Sequence, residues 1–287
     1  MNDCLLELQQ VSYRYPDGSL GLNDCSLAIR RGSRNVLIGA NGAGKTTLFQ
    51  HANGLLRPQT GIVRYAGGAV DYGRAGLRQL RSRVGLVFQN PDRQLFSASV
   101  AEDVSFGPLN LGLDTASVRR RVADALQAVG MGEFGGRPVH NLSFGQKKRV
   151  CIAGVLAMQP ELLILDEPMA GLDHTMQQEL LAVLDKLHGR GITLLLATHD
   201  IDFAYRWAER IHLMAAGRCT ATLAAGELGS HGAELAAVGL PLPEIITLQR
   251  ALAGHGLLSA GARPRCAADL LAALNQTKES PCQFALI

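Results

Sequence analysis

A glycine-rich segment at residues 39–47 restricts the possible folds of this chain more than any other part of its sequence. It follows the apolar run at residues 36–38, precedes a helix-like run, and has the spacing G-x-x-x-x-G-K-T. Glycines in such a loop let backbone N–H groups converge on an anion, and the next helix N-terminus adds partial positive charge. The pattern predicts a strand, a loop and a helix that bind a nucleoside triphosphate, and disfavours an ordinary glycine-rich turn. The predicted loop residues are Gly39, Ala40, Asn41, Gly42, Ala43, Gly44, Lys45, Thr46 and Thr47.

Two loop residues and two carboxylates predict a magnesium-dependent triphosphate site. Lys45 has the position of a lysine that reaches the β and γ phosphates, and Thr46 that of a Mg²⁺ ligand. The apolar run at residues 162–165 ends in Asp166 and Glu167. A buried strand would deliver Asp166 as a second Mg²⁺ ligand and Glu167 as the general base for the attacking water. Alternatively, Asp166 and Glu167 form an exposed acidic pair at a strand end. The predicted phosphate-binding loop argues against this alternative.

Other polar and aromatic residues are further candidates for the same site. His199 closes an apolar run and could stabilise the transferred phosphate, although a lone histidine is more often structural. Gln89 ends another apolar run, and its amide could bind Mg²⁺ and orient water. Ser143 precedes a helix-like run as a candidate N-cap. Tyr13 and Tyr15 would share a face of a strand, where one ring could stack on a nucleobase or pack in the core.

The composition fits a folded globular protein and excludes some function classes. Of the 287 residues, 47% are hydrophobic and 18% charged, and the formal net charge is +3, so we expect no nucleic acid partner. Six scattered cysteines without a C-x-x-C pair favour a reducing cytoplasm over a disulfide framework or a zinc site. No apolar run approaches the roughly 18 residues of a membrane span. We therefore expect any work at a membrane to depend on partner proteins, without direct insertion.

The order of the predicted elements indicates an α/β fold with a second, smaller domain. Short apolar runs separated by amphipathic helices predict a three-layer core with a parallel sheet over residues 1–228. The region of about 90–150 has no clear central strand and is predicted to be an inserted helical subdomain, with Thr115 as the N-cap of one helix. Residues 229–275 are predicted to form a small C-terminal helical domain, and residues 276–287 a tail.

Taken in order, these motifs resemble the nucleotide-binding subunit of ATP-binding-cassette (ABC) transporters over nearly all of residues 5–226. The resemblance implies a P-loop NTPase core with an antiparallel N-terminal β subdomain. It identifies residues 142–146 as the family's signature loop and residues 170–173 as its aspartate loop. Tyr15 matches the aromatic residue that stacks on adenine, with Tyr13 in reserve. The remaining residues that the resemblance implies in nucleotide binding are Ser143, Gly145, Gln146 and Asp173.

One residue departs from the family pattern. The signature loop usually has the sequence Leu-Ser-Gly-Gly-Gln, and Phe144 replaces its first glycine here. Ser143 and Gly145, which face the γ-phosphate in the family, are retained. We therefore expect the substitution to change local geometry more than function.

A narrower resemblance, over residues 88–104, is to energy-coupling-factor importers of vitamins and metal ions. Residues 142–149 and the C-terminal extension resemble the cobalt and nickel branch of that group. This implies an ATPase that uses ATP and Mg²⁺ to power an importer at the cytoplasmic face of the cell membrane. The alternatives are an importer of vitamins and a soluble cassette ATPase without a transporter. Membrane association would distinguish a transporter subunit from the soluble ATPase.

The family resemblance also implies two kinds of partner. Each ATP would lie between the loop of one ATPase subunit and the signature loop of a second, in a head-to-tail dimer expected to contain two copies of this chain. The C-terminal domain would hold the two copies together. Membrane subunits would contact the stretch from Gln89 to Asp103, where Asp92, Glu102 and Asp103 could pair with basic groups or simply face solvent.

Overall fold

The computed structural model describes residues 3–279, which contain ten strands and ten α-helices. The strands are β1 (Cys4–Arg14), β2 (Leu20–Arg30), β3 (Arg34–Ile38), β4 (Thr60–Tyr65), β5 (Gly68–Ala69), β6 (Val84–Val87), β7 (Leu162–Asp166), β8 (Thr193–Thr198), β9 (Arg210–Ala215) and β10 (Arg218–Ala224). The helices are α1 (Lys45–Ala52), α2 (Arg74–Arg83), α3 (Val100–Asn110), α4 (Thr115–Ala128), α5 (Phe144–Leu156), α6 (His174–Gly189), α7 (Ile201–Trp207), α8 (Gly232–Ala237), α9 (Glu244–Gly254) and α10 (Ala267–Glu279).

A six-stranded sheet forms the centre of the molecule, in the order β10-β9-β3-β8-β7-β6. Strands β9, β3, β8, β7 and β6 are parallel to one another, and β10 pairs antiparallel with β9 at one edge. Every residue of β7 and β8 is buried, because both faces of the sheet are covered. The α/β core with a parallel sheet is therefore confirmed.

Alternate residues of the central strands enter two different apolar layers. Leu163 and Leu165 of β7 pack in the cluster formed with helices α3–α7, whereas Leu162 and Ile164 pack on the other face, with Phe49 of α1. That second layer also contains the apolar residues of an antiparallel sheet with the order β2-β1-β4-β5. The predicted antiparallel N-terminal β subdomain is thus confirmed.

Helices α3, α4 and α5 lie between β6 and β7 and form the inserted helical subdomain that the sequence predicted. The N-cap of α4 is Asp114, whose Oδ1 accepts a hydrogen bond from the N–H of Ser117 at 3.0 Å. The prediction that Thr115 caps this helix was wrong by one residue, since Thr115 is its first helical residue. The acidic side chain is the better acceptor for the free N–H groups of the first turn.

Helices α8, α9 and α10 follow the last strand. Leu235 and Ile246 join the same apolar cluster as Phe203 of α7, so this C-terminal part packs directly on the core. Helix α10 continues to Glu279, so the predicted tail does not begin at residue 276, and residues 280–287 lie outside the described residues. No helix within residues 3–279 is long and apolar enough to span a membrane.

Candidate functional site

Four neighbouring parallel strands end at one edge of the large sheet, and a candidate residue or loop follows each. The glycine-rich loop follows β3, His199 follows β8, Asp166 and Glu167 end β7, and Gln89 lies two residues after β6. Parallel strands present the same end at one edge, which is where open α/β sheets bind ligands. These residues share a cavity of about 350 Å³. Its lining residues are Tyr15, Leu20, Asn41, Gly42, Ala43, Gly44, Lys45, Thr46, Thr47, Gln89, Asp166, Glu167 and His199.

The backbone of the loop requires glycine at several positions. Gly42 and Gly44 have φ angles of +81° and +104°, in the left-handed region. A Cβ atom on Gly39 would lie 2.1 Å from the carbonyl oxygen of Met214. Gly44 stands at the N-cap of α1 without a side chain to cap the first N–H groups, so these remain suited to an anion.

The Lys45 side chain is buried and curls back over the loop. Its Nζ donates hydrogen bonds to the carbonyl oxygens of Gly39 at 2.7 Å and Ala40 at 3.2 Å. The same atom lies 3.9 Å from Oε1 of Glu167. The ammonium group therefore stands between the loop and the carboxylate. Gly39 and Ala40 do not line the cavity, and their backbone carbonyl groups instead accept hydrogen bonds from Lys45.

Thr46 and Asp166 bring two oxygen donors together beside the loop. The Thr46 hydroxyl donates a hydrogen bond of 2.6 Å to Oδ2 of Asp166. Burial raises the pKa of Asp166, and the hydrogen bond from Thr46 and the charge of Lys45 act against that rise. The exposed Gln89 amide lines the same cavity. A hydroxyl, a carboxylate and an amide oxygen form a donor set that suits Mg²⁺, which takes few protein ligands and keeps several waters.

Glu167 has an unusual backbone and a histidine partner. Its φ angle is +46°, and its N–H donates to the carbonyl oxygen of Ala197 at 3.1 Å. Its Oε2 lies 3.1 Å from Nδ1 of His199. The Glu167 side chain is 12% exposed and that of His199 is 70% exposed. Because its side chain is mostly exposed, His199 is not a buried structural histidine. It covers the Glu167 carboxylate from the solvent side.

The two tyrosines have different surroundings. Tyr15 lines the cavity, and its hydroxyl lies 2.9 Å from Oγ1 of Thr47. Tyr13 packs edge-on against Tyr15 and against the buried His51, so core packing is its observed role. Leu20 also lines the cavity and was missed, although its position at the start of β2, directly after the turn that follows Tyr15, was a signal.

The signature loop and the aspartate loop lie at helix N-termini outside this cavity. Ser143 caps α5 in a capping box with Gln146, and Gly145 is buried in the first turn. Asp173 caps α6 by accepting a hydrogen bond from the N–H of Met176 at 2.8 Å. Among the described residues that line the cavity, none of these four is present. The predicted signature loop is therefore a helix N-terminus that does not line the cavity of its own chain.

Residues 22–170 match the protein-family model described as ABC transporter. The chain belongs to the ABC transporter family. The family resemblance predicted from the motifs is confirmed, and the chain is an ABC ATPase, an enzyme that hydrolyses ATP for transport.

Two curated relatives place this ABC ATPase within the family. It is 48% identical to the cobalt import ATP-binding protein CbiO of Rhodobacter capsulatus over 244 residues, which are 85% of this chain and 87% of CbiO. It is 44% identical to the energy-coupling factor transporter ATP-binding protein EcfA of Methanocaldococcus jannaschii, over 85% of this chain and 88% of EcfA. The sequence is therefore close to those of energy-coupling-factor ATPases.

Two solved structures have the same fold. The first is cbiO1 of Clostridium perfringens, part of the ABC transporter complex cbiONQ, at 42% identity and a TM-score of 0.74, covering 87% of this chain and all of cbiO1. The second is the dimeric ATP-binding cassette MJ0796 in a post-hydrolysis state bound to ADP and Pi, at 27% identity and a TM-score of 0.69. That likeness covers 77% of this chain and 99% of MJ0796.

Proposed function

We propose that this ABC ATPase powers an energy-coupling-factor importer at the cytoplasmic face of the cell membrane, and that the cargo is cobalt or nickel ion. The observation that carries the proposal is the convergence of Lys45, Asp166, Glu167 and His199 on one cavity beside the glycine-rich loop. ATP is the substrate of this cavity. The adenine stacks on Tyr15, and the phosphates lie against the loop and the N-terminus of α1.

The side chains divide the hydrolytic reaction among them. Lys45 contacts the β and γ phosphates, and Glu167 accepts the proton of the attacking water. His199 orients that carboxylate and donates to the developing charge on the γ-phosphate. Thr46, Asp166 and Gln89 would hold Mg²⁺, which would supply positive charge to neutralise the phosphates.

The signature loop completes the site of a second copy. Ser143 and Gly145 lie at the N-terminus of α5, and its N–H groups suit the γ-phosphate of ATP bound by the partner. The dimeric MJ0796 cassette bound to ADP and Pi supports this arrangement. In the C-terminal part, Leu248, Leu257 and Leu271 are each more than half exposed. We propose that residues 229–275 use these leucines to hold two copies together between cycles.

A second cavity, of about 830 Å³, is the proposed docking site for a membrane subunit. Phe88, Phe96 and Phe106 line it with other apolar residues, and the residues Phe96 and Phe106 are 66% and 50% exposed. An amphipathic helix of the membrane subunit fits such a groove. Arg74 and Arg78 also line it, and their guanidinium groups suit acidic groups on that helix.

The carboxylates expected to pair with the membrane subunit are engaged within this chain. Asp103 is buried and accepts hydrogen bonds from the N–H groups of Phe96 and Ser97, both at 2.9 Å. Glu102 closes the capping box of α3, and Asp92 pairs with Lys147 at 2.7 Å. Apolar contact is therefore a stronger basis for docking than these acidic residues.

The relatives supply the proposed cargo. CbiO is named for cobalt import, and cbiO1 is part of the cbiONQ complex, whereas the name EcfA specifies no cargo. Within residues 3–279 there is no group of three or more His, Cys, Asp or Glu residues that could hold a metal ion. We therefore place the cargo site on another subunit.

Affinity purification of the tagged chain from detergent-solubilised native membranes tests the proposal. We expect small multi-spanning membrane proteins to copurify, and cells lacking this chain to lose uptake of radioactive cobalt or nickel. Phe106→Asp should abolish copurification, whereas Leu109→Asp on the same helix, outside the cavity, should not. Recovery of the chain without a membrane partner would favour a soluble cassette ATPase. A membrane partner combined with unchanged metal uptake would favour a vitamin importer.

A further inference from the structure

Lys148 is a buried lysine that has no part in the chemistry described above. Its side chain lies on α5, five residues after Ser143, and the residue is only 3% exposed. Its Nζ donates hydrogen bonds to the carbonyl oxygens of Pro168 and Ala170, both at 2.7 Å, and of Glu167 at 3.3 Å. An ammonium group has three N–H donors, so each has a backbone acceptor here. Burial lowers the pKa of Lys148 to about 8.

The three carbonyl groups belong to the turn that leaves β7 and carries the proposed general base. Glu167 adopts a left-handed conformation, which is strained for a residue with a side chain and persists only where the surroundings enforce it. Its N–H is held by Ala197 on β8 and its carbonyl oxygen by the N–H of Ala170 at 3.2 Å and by Lys148. Lys148 thus contributes one of the few contacts that fix this conformation from outside the turn.

The Phe144 ring lies close to the same Lys148 ammonium group. The Lys148 Nζ lies 5.2 Å from the centroid of the Phe144 ring. A Cβ atom added to Gly171, whose φ is +75°, would lie 3.0 Å from Cε1 of Phe144. The ring therefore packs closely on the aspartate loop. Phe144, the residue that departs from the family signature, also lies over the Lys148 ammonium group.

We propose that Lys148 is a positioning residue that fixes the backbone of Glu167 and joins the signature helix to the aspartate loop of the same chain. This inference rests on the proposed function, because it takes Glu167 as the general base and the signature loop as part of the partner's site. The signature loop of a subunit contacts the partner's ATP, and Glu167 of the same subunit acts on the ATP bound by that subunit. Lys148 then makes the loop and the carboxylate move together. Lys148 links the two ATP sites of the dimer in this way.

The test compares two adjacent lysines on α5. Lys148→Met removes all three donors and keeps most of the side-chain volume, and Lys148→Gln keeps amide donors without the charge. Lys147→Met is the matched control, since the Lys147 ammonium group pairs with Asp92 instead of the turn after β7. We would measure kcat and KM for Mg·ATP hydrolysis by the purified full-length chain, its affinity for ATP, and its thermal transition.

We expect Lys148→Met to lower kcat about tenfold or more while the affinity for ATP changes by less than about threefold, the pattern of a lost positioning contact. Lys148→Gln should recover part of kcat, and Lys147→Met should match the wild type. A kcat for Lys148→Met equal to that of Lys147→Met would overturn the inference. Parallel loss of kcat, ATP affinity and the thermal transition in both Lys148 variants would also overturn it, since the lysine would then serve only the fold. Unchanged hydrolysis by Glu167→Gln would instead remove the proposed function, and this inference with it.

Discussion

The Nδ1 atom of His199 lies 3.1 Å from Oε2 of Glu167, although 31 residues separate them in the sequence. Strand pairing explains the contact, because Asp166 of β7 stands opposite Ala197 of β8 in the parallel register. Glu167 lies one residue beyond Asp166 and His199 lies two residues beyond Ala197, so both side chains start from the same edge of the sheet. The exposed histidine shields the less exposed carboxylate, so the pair forms the outer wall of the cavity.

Glu167→Gln should stop hydrolysis without preventing ATP binding. An amide cannot accept a proton from water at neutral pH, but it keeps the size of the side chain and a partner for His199. We expect kcat to fall by about a hundredfold or more, measured as phosphate release, with ATP affinity measured by calorimetry. The control is the exposed Glu227→Gln. Normal turnover by Glu167→Gln would refute the general-base role.

Lys45→Ala should weaken nucleotide binding itself. The change removes the ammonium group that lies between the loop carbonyl groups and Glu167, and with it the proposed contact with the phosphates. We expect the dissociation constant for ATP to rise about tenfold or more, as for other charge-assisted contacts with phosphate. Equilibrium binding of a fluorescent ATP analogue would measure it, with the exposed Lys186→Ala as control. Equal affinities would count against the phosphate-loop assignment.

Tyr15→Leu and Tyr15→Phe separate stacking from hydrogen bonding. Leucine removes the aromatic face, so ATP affinity should fall about fivefold or more, as base stacking on an aromatic ring contributes roughly 1–3 kcal/mol. Phenylalanine keeps the ring and loses only the contacts of the hydroxyl with Thr47 and Gln50, so its affinity should stay within about threefold of the wild type. The same loss in both variants would show that the hydroxyl, and not the ring, matters.

His212 should make the folded chain sensitive to acid. It is fully buried between Thr222 and Asn35, at 2.9 and 3.2 Å, and burial, with a smaller effect of Arg210, lowers its pKa from 6.5 to about 3. Between these two values the unfolded chain binds more protons, so stability is retained above pH 6.5 and lost as the pH falls. The expected loss is about 1.4 kcal/mol per pH unit.

Urea unfolding at pH 7.5 and pH 5.0 measures this effect. The wild type should lose about 2 kcal/mol of unfolding free energy from this residue between pH 6.5 and pH 5.0. His212→Gln should be less stable than the wild type at pH 7.5, because its packing and hydrogen bonds change, yet lose less on acidification. An identical acid response in both proteins would mean that other groups control it.

The sequence predicted those parts of the fold that depend on local patterns. Uninterrupted apolar runs gave the parallel strands, and the polar residues that follow them had to meet at one edge of the sheet. The placement of Gln89, Asp166, Glu167 and His199 around one cavity follows from that rule alone. Their chemical roles stay predictions until the variants are measured.

The sequence did not show contacts that join distant segments. Lys148 lies in a run of basic residues whose usual place is a solvated face, and only the tertiary structure reveals that it is buried against the turn after β7. Asp103 was expected to pair with basic groups of a membrane subunit or to face solvent, but it is buried and accepts hydrogen bonds from the N–H groups of Phe96 and Ser97. The predicted cap of α4, Thr115, differs from the observed cap, Asp114, by one residue. Helix boundaries are hard to place from sequence with that precision.

Phe88 and Gln89 are consecutive residues, yet the first lines the large apolar cavity and the second lines the cavity beside the glycine-rich loop. One planar peptide unit therefore joins a residue of the large apolar cavity to a residue of the cavity beside the glycine-rich loop. Since that unit is rigid, a rotation of the Phe88 backbone about ψ also turns the amide group that leads into Gln89. A partner that shifts the backbone of Phe88 would therefore shift the proposed Mg²⁺-binding residue Gln89, whose Cα atom is about 3.8 Å away.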